Sequence, residues 1–356
     1  MTRLVLSVVL AAVALGGCNC GLAPLSHIVG PGSIVGRVCD PGEGKGVYGA
    51  DVYVVAGKDG HKVSTLSDAD GQFDLTDVPP GTYTVYVERG SFSTTVESVV
   101  VTEGAVTTLD ESTCIAPTVS KLLVVSGHDS VESVLQRLGY FNFSLIDSHF
   151  RDHTSTTPSW FVQAFSDLAT IEQNDIVFIN CGPHEWALDD ADPQAVDHAL
   201  ANLRAYVAQG GSLYVSDWAY DILERLYPDA ATWYGHDYTE DSAQKAIAQT
   251  FVGHIASPDL AAAMGSATVS LAFEQSQVAV AVSLGPTATA LITADVDVKV
   301  SRNNTDTLTN VPVLFEVHPA DLAPGSKGRV IYTSFHNGPN NTADMDAVLR
   351  AIVFTL

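Results

Sequence analysis

Residues 203–221, LRAYVAQGGSLYVSDWAYD, contain the signals that decide the fold of the larger part of this chain. Helical spacing of apolar residues extends over 193–209 and ends at Gly210-Gly211. The apolar run 212–216 has the length of a buried strand, and a further helix begins near Asp217. Helices that alternate with short apolar strands predict βαβ units, in which helices cover both faces of a parallel sheet.

The same alternation continues in both directions and predicts one α/β domain over 120–356. Its other predicted strands are 121–126, 143–146, 175–180 and 328–336, and its other predicted helices are 131–138, 160–168 and 343–354. Residues 268–317 interrupt the pattern with β-rich sequence such as ALITADVDVKV, which predicts an insertion.

A separate region, 33–116, alternates between apolar and polar residues with period two. Its predicted strands are 33–39, 50–55, 62–66, 72–75, 81–87 and 91–101. Short strands at regular spacing, separated by turn signals such as Asp70-Gly71, predict an all-β sandwich. Asp68, Asp70 and Asp74 would suit calcium, but the stretch lacks the terminal Glu of a calcium loop. We therefore favour a β-turn here.

The chain begins with a basic residue, Arg3, and an apolar run over 4–15 that is followed by Gly16-Gly17-Cys18. About 12 apolar residues are too few to span a bilayer, which needs roughly 20. The arrangement is typical of a secretory signal peptide. The stretch LGGC also resembles the lipobox of bacterial lipoproteins, in which the cysteine is acylated after cleavage. The resemblance implies a signal peptide over 1–17, Cys18 as a lipid anchor and a tether over 18–32.

Charge excludes one class of partner. The chain has a formal net charge of −24, whereas nucleic-acid phosphates require a basic surface. The same acidity disfavours electrostatic adhesion to anionic lipid, so the expected membrane contact is the lipid anchor itself. By resemblance to lipoproteins with Asn19 after the cysteine, we expect a lipid-anchored protein of the cell envelope, at the outer membrane.

The five cysteines carry a prediction of their own. They are Cys18, Cys20, Cys39, Cys114 and Cys181. Export would place them in an oxidising compartment, where disulfides persist, and no CxxC pair indicates a zinc cluster. Cys39 and Cys114 flank the β-rich region and are the best candidates for a bridge.

Two family resemblances extend these predictions. The stretch DADGQFDLTDVPPGTYTV, within 33–114, resembles carboxypeptidase regulatory-like domains, which implies a prealbumin-like sandwich that is usually a spacer or a carbohydrate-binding-like module. The stretches LLVVSGHDSVESVLQRLGY, NDIVFINCG and LRAYVAQGGSLYVSDWAYD resemble the class I glutamine amidotransferase-like fold and its trehalose-utilisation-like branch. That resemblance implies a flavodoxin-like α/β domain.

The amidotransferase resemblance does not extend to the catalytic residues. The family has a nucleophilic cysteine at the turn after the strand matched by 212–216, but this chain has Ser216, Asp217 and Trp218. His336 matches the family histidine, yet Asn337-Gly338 follows where the family has an acid. A cysteine amidase needs a thiolate beside its base, so we expect no glutaminase activity.

Three other site chemistries remain open. Cys181 with His184 could form a nucleophile pair, and Ser216 could act with His336 as base and Asp217 as orienting acid. A metal could be held by histidines and carboxylates, which suit zinc or iron; the set is His128, Asp129, His184, Glu185, Asp217 and His336. All of these residues are predicted to follow strand ends.

We therefore expect a non-catalytic or degenerate binding module for a carbohydrate-like ligand or a partner, without a cofactor. The alternative is an envelope hydrolase of sugars or amides that uses Ser216 or Cys181 with His336, or a metal. Ligands of open α/β sheets bind at the carboxyl ends of strands. We expect a pocket there in which His128, Asp217 and His336 converge, beside Asp129, Cys181, His184, Ser216 and Trp218.

Overall fold

The computed structural model describes residues 30–57, 59–109, 116, 118, 121–148, 158–182, 185–189, 192–235, 243–335 and 342–356. Over these residues the chain forms a β-sandwich-like domain followed by an α/β domain. The predicted signal peptide, most of the tether and Cys114 lie outside the described residues. In the described part of the chain, none of the helices has the length and apolarity that a membrane crossing requires.

The N-terminal domain contains β1 (Gly32–Arg37), β2 (Asp51–Ala56), β3 (His61–Leu66), β4 (Gln72–Val78), β5 (Gly81–Arg89), β6 (Phe92–Val101) and β7 (Val106–Thr108). One sheet has the order β4-β1-β7 and the other has the order β3-β2-β5-β6. Val52, Val54, Val85 and Val87 point inward and are fully buried. Period two predicted these strands correctly because each sheet packs one face against the other.

The turn between β3 and β4 is organised by Asp68. Its Oδ1 accepts the backbone N–H groups of Asp70 at 3.0 Å and Gln72 at 2.8 Å. Gly71 has φ +78°, and a Cβ there would lie 2.0 Å from the carbonyl oxygen of Val38. The carboxylate of Asp68 thus binds the donors of the turn, as the β-turn interpretation expects.

The α/β domain is built on parallel strands, namely β8 (Leu122–Val125), β9 (Phe143–Ile146), β10 (Ile176–Ile179), β11 (Ser212–Ser216) and β20 (Val330–Thr333). Their order across the sheet is β9-β8-β10-β11-β20. This is the 2-1-3-4-5 order of flavodoxin-like sheets. The predicted parallel α/β domain is therefore present.

The helices of this domain are α1 (Val131–Arg137), α2 (Trp160–Phe165), α3 (Leu168–Ile171), α4 (Glu185–Leu188), α5 (Pro193–Ala208), α6 (Tyr220–Leu226), α7 (Pro258–Met264) and α8 (Ala343–Thr355). Helix α5 ends where predicted. Gly210 has φ +119°, and a Cβ on Gly211 would lie 2.1 Å from the ring of Tyr206. Both glycines are required for the chain to turn from α5 into β11.

The β-rich segment differs from its prediction. It comprises β12 (Ala231–Trp233), β13 (Gln244–Ala246), β14 (Gln249–Ile255), β15 (Thr268–Phe273), β16 (Val278–Ala279), β17 (Ala281–Leu284), β18 (Ala288–Ser301) and β19 (Asn304–Val317). It begins before residue 268, and β19 pairs antiparallel with β20, so most of it extends the central sheet. Residues 311–317 are buried throughout because this half of β19 is covered on both faces, as its neighbours are.

The two domains share one apolar core. The ring of Phe92 in the sandwich lies 4.9 Å from that of Tyr140 and 5.1 Å from that of Phe354 on α8. A backbone hydrogen bond supports this contact, since the N–H of Ser91 donates to the carbonyl of Leu356 at 2.9 Å. The sandwich is thus packed against the amino-terminal edge of the parallel sheet, opposite the strand ends expected to bind a ligand.

Candidate functional site

The carboxyl ends of β8, β10 and β11 lie side by side because these strands are parallel neighbours. Asp129, Cys181, Ser216 and Asp217 meet there, and all four are buried. The connection after β8 runs to β9 on one side, and the connection after β10 runs to β11 on the other side. The gap between the ends of β8 and β10 is therefore the point where open α/β sheets bind ligands. Four of the residues that were predicted to follow strand ends thus lie next to one another.

Ser216 links three strand ends. Its hydroxyl donates to Asp129 Oδ2 at 2.5 Å and accepts the backbone N–H of Cys181 at 2.8 Å. Ser216 is fully buried. A serine nucleophile needs its hydroxyl beside a base and open to substrate, whereas this hydroxyl is enclosed and bound to a carboxylate. The geometry favours a structural role for Ser216.

Asp217 occupies the sharp turn after β11. Its φ is +44°, a left-handed conformation that is uncommon for a residue with a side chain. The carboxylate accepts the N–H of Ala279 at Oδ1, 2.8 Å away, and the thiol of Cys181 at Oδ2, 3.4 Å away. These bonds hold the strained backbone in place. Asp217 is only 2% exposed, so its carboxylate lies beneath the surface of the site.

Cys181 is the free cysteine among the described residues, and it is buried. Burial, followed by the negative charges of Asp217 and Asp129, raises the pKa of its thiol well above the ordinary value. At neutral pH the sulfur is therefore a neutral thiol that donates to Asp217. A nucleophilic cysteine must be a thiolate, so the geometry disfavours catalysis by Cys181.

Two solvent-accessible aromatic side chains lie above the hydrogen bonds of Asp129, Cys181, Ser216 and Asp217. His128 is exposed and Trp218 is half-buried, and their rings meet edge to face with centroids 6.1 Å apart. The Trp218 indole N–H donates to the carbonyl of Gln277 at 2.5 Å, which fixes the orientation of its ring. The backbone N–H of His128 donates to the carbonyl of Cys181 at 2.5 Å. The two rings thus form the accessible part of the site.

Two further residues shape the site, although neither was among the predicted site residues. Tyr332 on β20 is fully buried, and its hydroxyl lies 3.1 Å from the backbone oxygens of both Asp217 and Ala279. Gly127 approaches β10 so closely that a Cβ would lie 2.0 Å from the carbonyl oxygen of Cys181. Tyr332 could have been found as a polar residue near the end of an apolar strand. No sequence pattern around Gly127 indicates its close approach to Cys181.

Several predicted site residues cannot be placed. His184 and His336 lie outside the described residues, as does the side chain of Glu185. Of the expected trio, His128 and Asp217 do lie at the same strand ends, but Asp217 is buried while His128 is exposed. Within the described ranges, no group of three or more His, Cys, Asp or Glu side chains is arranged to hold a metal ion.

The sandwich has a family match. Residues 33–112 match the model of the carboxypeptidase regulatory-like domain. The predicted resemblance of this region is confirmed. No curated protein sequence matches the chain.

Solved structures resemble parts of the chain. A glutamine amidotransferase from Thermotoga maritima is 10% identical with a TM-score of 0.35, over 61% of this chain and 75% of that protein. A protein of Salmonella typhimurium described as cytoplasmic is 12% identical with a TM-score of 0.41, over 66% of this chain and 97% of that protein. A candidate carbohydrate-binding protein from Bacteroides uniformis is 26% identical over 22% of this chain, with a TM-score of 0.19. This chain spans 40% of that protein's length.

Proposed function

We propose that this protein is a lipid-anchored protein of the cell envelope whose α/β domain binds a neutral, carbohydrate-like ligand. The observation that carries the proposal is the accessible pair formed by His128 and Trp218 at the carboxyl ends of the strands. Beneath that pair, the potential nucleophiles Ser216 and Cys181 are enclosed in hydrogen bonds. The arrangement offers a binding surface without an activated nucleophile.

The chemistry of the surface supports a neutral ligand. An indole ring held by a bond from its own N–H presents a flat apolar face, and the C–H face of a sugar can stack on such a ring. The imidazole of His128 can donate to or accept from a hydroxyl. The buried carboxylates of Asp129 and Asp217, together with the net charge of −24, disfavour an anion at this edge.

The test is a titration of the purified chain with glucose, N-acetylglucosamine, maltose and trehalose, followed by tryptophan fluorescence and calorimetry. We expect saturable binding of at least one sugar, and a roughly threefold to tenfold loss of affinity in Trp218→Ala, since a lost stacking contact is worth about 0.5–1.5 kcal/mol and about 1.4 kcal/mol is tenfold. Trp218→Phe should retain part of the affinity because it keeps an aromatic face.

Phe141→Ala provides a matched control. Phe141 is 72% exposed and precedes β9. The substitution therefore removes an exposed aromatic ring from the opposite edge of the sheet. It should leave sugar affinity unchanged. A sugar site at Trp218 would be contradicted if none of the four sugars binds, or if Trp218→Ala and Phe141→Ala lose sugar affinity equally.

The lipid anchor is supported by the sequence at 15–18, LGGC, after a short apolar run. Acyl chains on Cys18 would contribute roughly 0.8 kcal/mol per buried CH₂, and two or more chains give stable anchoring. In the native host, Cys18→Ala should move the protein from the outer-membrane fraction to a soluble fraction. A variant that sediments with membranes as the natural chain does would exclude Cys18 as the anchor.

A hydrolase is the second candidate, and the strained backbone of Asp217 favours it. Non-glycine residues with φ near +44° are concentrated at active sites, where the surrounding structure maintains the strain. Assays of ammonia release from glutamine and of 4-nitrophenyl glycoside cleavage test this candidate. Turnover that Asp217→Asn abolishes would establish a hydrolase, whereas we expect none above the background of that variant.

A further inference from the structure

A cavity lies between the two domains, on the side of the molecule away from His128 and Trp218. Its volume is about 180 Å³, well above the roughly 10–15 Å³ that a single water requires. Its ionisable lining residues are Tyr48 and Arg89 of the sandwich and Asp259, Glu316, Arg329 and Arg350 of the α/β domain. A cavity with three arginines is unexpected in a chain with a net charge of −24.

Two of the three arginines are neutralised by the protein. Arg329 Nε lies 3.1 Å from Glu316 Oε1, and Arg350 Nη2 lies 2.8 Å from Asp40 Oδ2. Each of these guanidinium groups also donates to backbone carbonyls, such as that of Thr355 for Arg329. Their positive charge is therefore already compensated where they stand.

Arg89 is different. Its Nη1 donates to the carbonyl of Gly49 at 3.2 Å, and its buried Nε has no hydrogen-bond partner among the described residues. No carboxylate of the described part of the chain lies within ion-pair distance of it, although Asp259 is near enough to act through its charge. Burial and the neighbouring charge of Arg329 both lower the pKa of the Arg89 guanidinium. A partly buried guanidinium with unused donors is a receptor for an anion.

The cavity also has apolar lining residues. Helix α7 contributes Leu260 and Met264, β18 contributes Leu291, and α8 contributes Ile352 and Phe354. A ligand that matches this lining has an anionic group for Arg89 and an apolar body for the aliphatic and aromatic side chains. Pockets of this kind take their affinity from the apolar walls and their orientation from a few polar groups.

We propose that the interdomain cavity binds a small organic anion, with its carboxylate or phosphate on Arg89 and its apolar body between α7 and α8. The site is independent of the proposed sugar surface, which lies at the other edge of the sheet. Because Arg89 belongs to the sandwich and both helices belong to the α/β domain, the bound anion contacts both domains and stabilises their packing.

The test uses calorimetry and thermal unfolding of the purified full chain with hexanoate and with hexyl phosphate. The comparison of the two determines which anionic group the site prefers. 1-Hexanol supplies the apolar body without charge, and inorganic phosphate supplies the charge without the body. We expect saturable binding and an increase in Tm with hexanoate or hexyl phosphate, and at least tenfold weaker binding of 1-hexanol and inorganic phosphate.

Arg89→Gln should reduce the affinity for the preferred anion at least tenfold, and Arg89→Lys should reduce it less because the charge is kept while the planar fork is lost. Arg302→Gln is the matched control. Arg302 is exposed in the turn between β18 and β19, and its substitution removes the same charge. If Arg89→Gln fails to fold, Arg89→Lys decides. The proposal is overturned if neither anion binds saturably, if 1-hexanol binds equally well, or if the folded Arg89 variants bind as tightly as Arg302→Gln.

Discussion

Arg350 on α8 and Asp40 in the sandwich form an ion pair, with 2.8 Å between Nη2 and Oδ2. Asp40 is fully buried, and its carboxylate also accepts the backbone N–H groups of Glu43 at 2.6 Å and Lys45 at 3.0 Å. Arg350 donates in addition to the carbonyls of Lys45 and Gly46. The pair therefore fastens a loop of the sandwich to the last helix of the chain.

Arg350→Met should destabilise the protein strongly because it leaves the carboxylate of Asp40 buried without its counter-charge. We expect a loss of about 3–5 kcal/mol in the free energy of unfolding, measured by urea denaturation. Lys62→Met is the control, since the pair of Lys62 with Asp51 at 2.6 Å is exposed and exposed pairs contribute at most about 1 kcal/mol. A loss in Arg350→Met as small as the one expected for Lys62→Met would contradict a stabilising role for the buried pair.

Asp217→Ala and Asp217→Asn should differ in stability. Alanine removes the acceptor of the Ala279 N–H and keeps the unfavourable φ, so we expect a loss of about 1–3 kcal/mol. Asparagine retains an oxygen acceptor and tolerates left-handed φ, so its loss should be below about 1 kcal/mol. Thermal unfolding of both variants checks the order; an alanine variant as stable as the asparagine one would refute it.

Cys181 should make stability depend on alkaline pH. Its thiol pKa is raised in the folded protein, whereas an exposed thiol in the unfolded chain titrates near about 8.5. Below that pH both states hold the proton and the contribution is complete; above it only the unfolded state loses the proton, so stability falls as pH rises. The test compares urea unfolding at pH 7.5 and 9.5 for the natural chain and Cys181→Ala. The buried tyrosines are in both proteins, so a similar decline in both would contradict this role for Cys181.

The Cys39–Cys114 disulfide stays a prediction. Cys39 is fully buried after β1, and Cys114 lies outside the described residues. A bridge would close a loop of about 75 residues and contribute on the order of 4 kcal/mol in the chain-entropy model. Mass mapping of a non-reduced digest should find the linked pair of peptides, and the Cys39→Ala, Cys114→Ala double variant should unfold at lower urea. Two free thiols in the digest would exclude the bridge.

The sequence by itself determined the main strands of the sandwich and the parallel core of the α/β domain, but not the extent of the β-rich segment. Alternation with period two placed the strands of the sandwich, and the pair Gly210-Gly211 separated α5 from β11. Alternation of helices and strands predicted a parallel sheet, whose carboxyl edge then located Asp129, Cys181 and Ser216. These inferences succeeded because side-chain periodicity records which face of an element is buried.

Only the tertiary structure decided the chemistry of the two candidate sites. The bond from Ser216 to Asp129 joins residues 87 positions apart, and the ion pair of Asp40 with Arg350 joins residues 310 positions apart. The left-handed backbone of Asp217 and the unused donors of Arg89 likewise depend on segments that are distant in sequence. The physical reason is that periodicity is a local property, whereas burial, pKa and hydrogen-bond partners are set by whichever elements pack together.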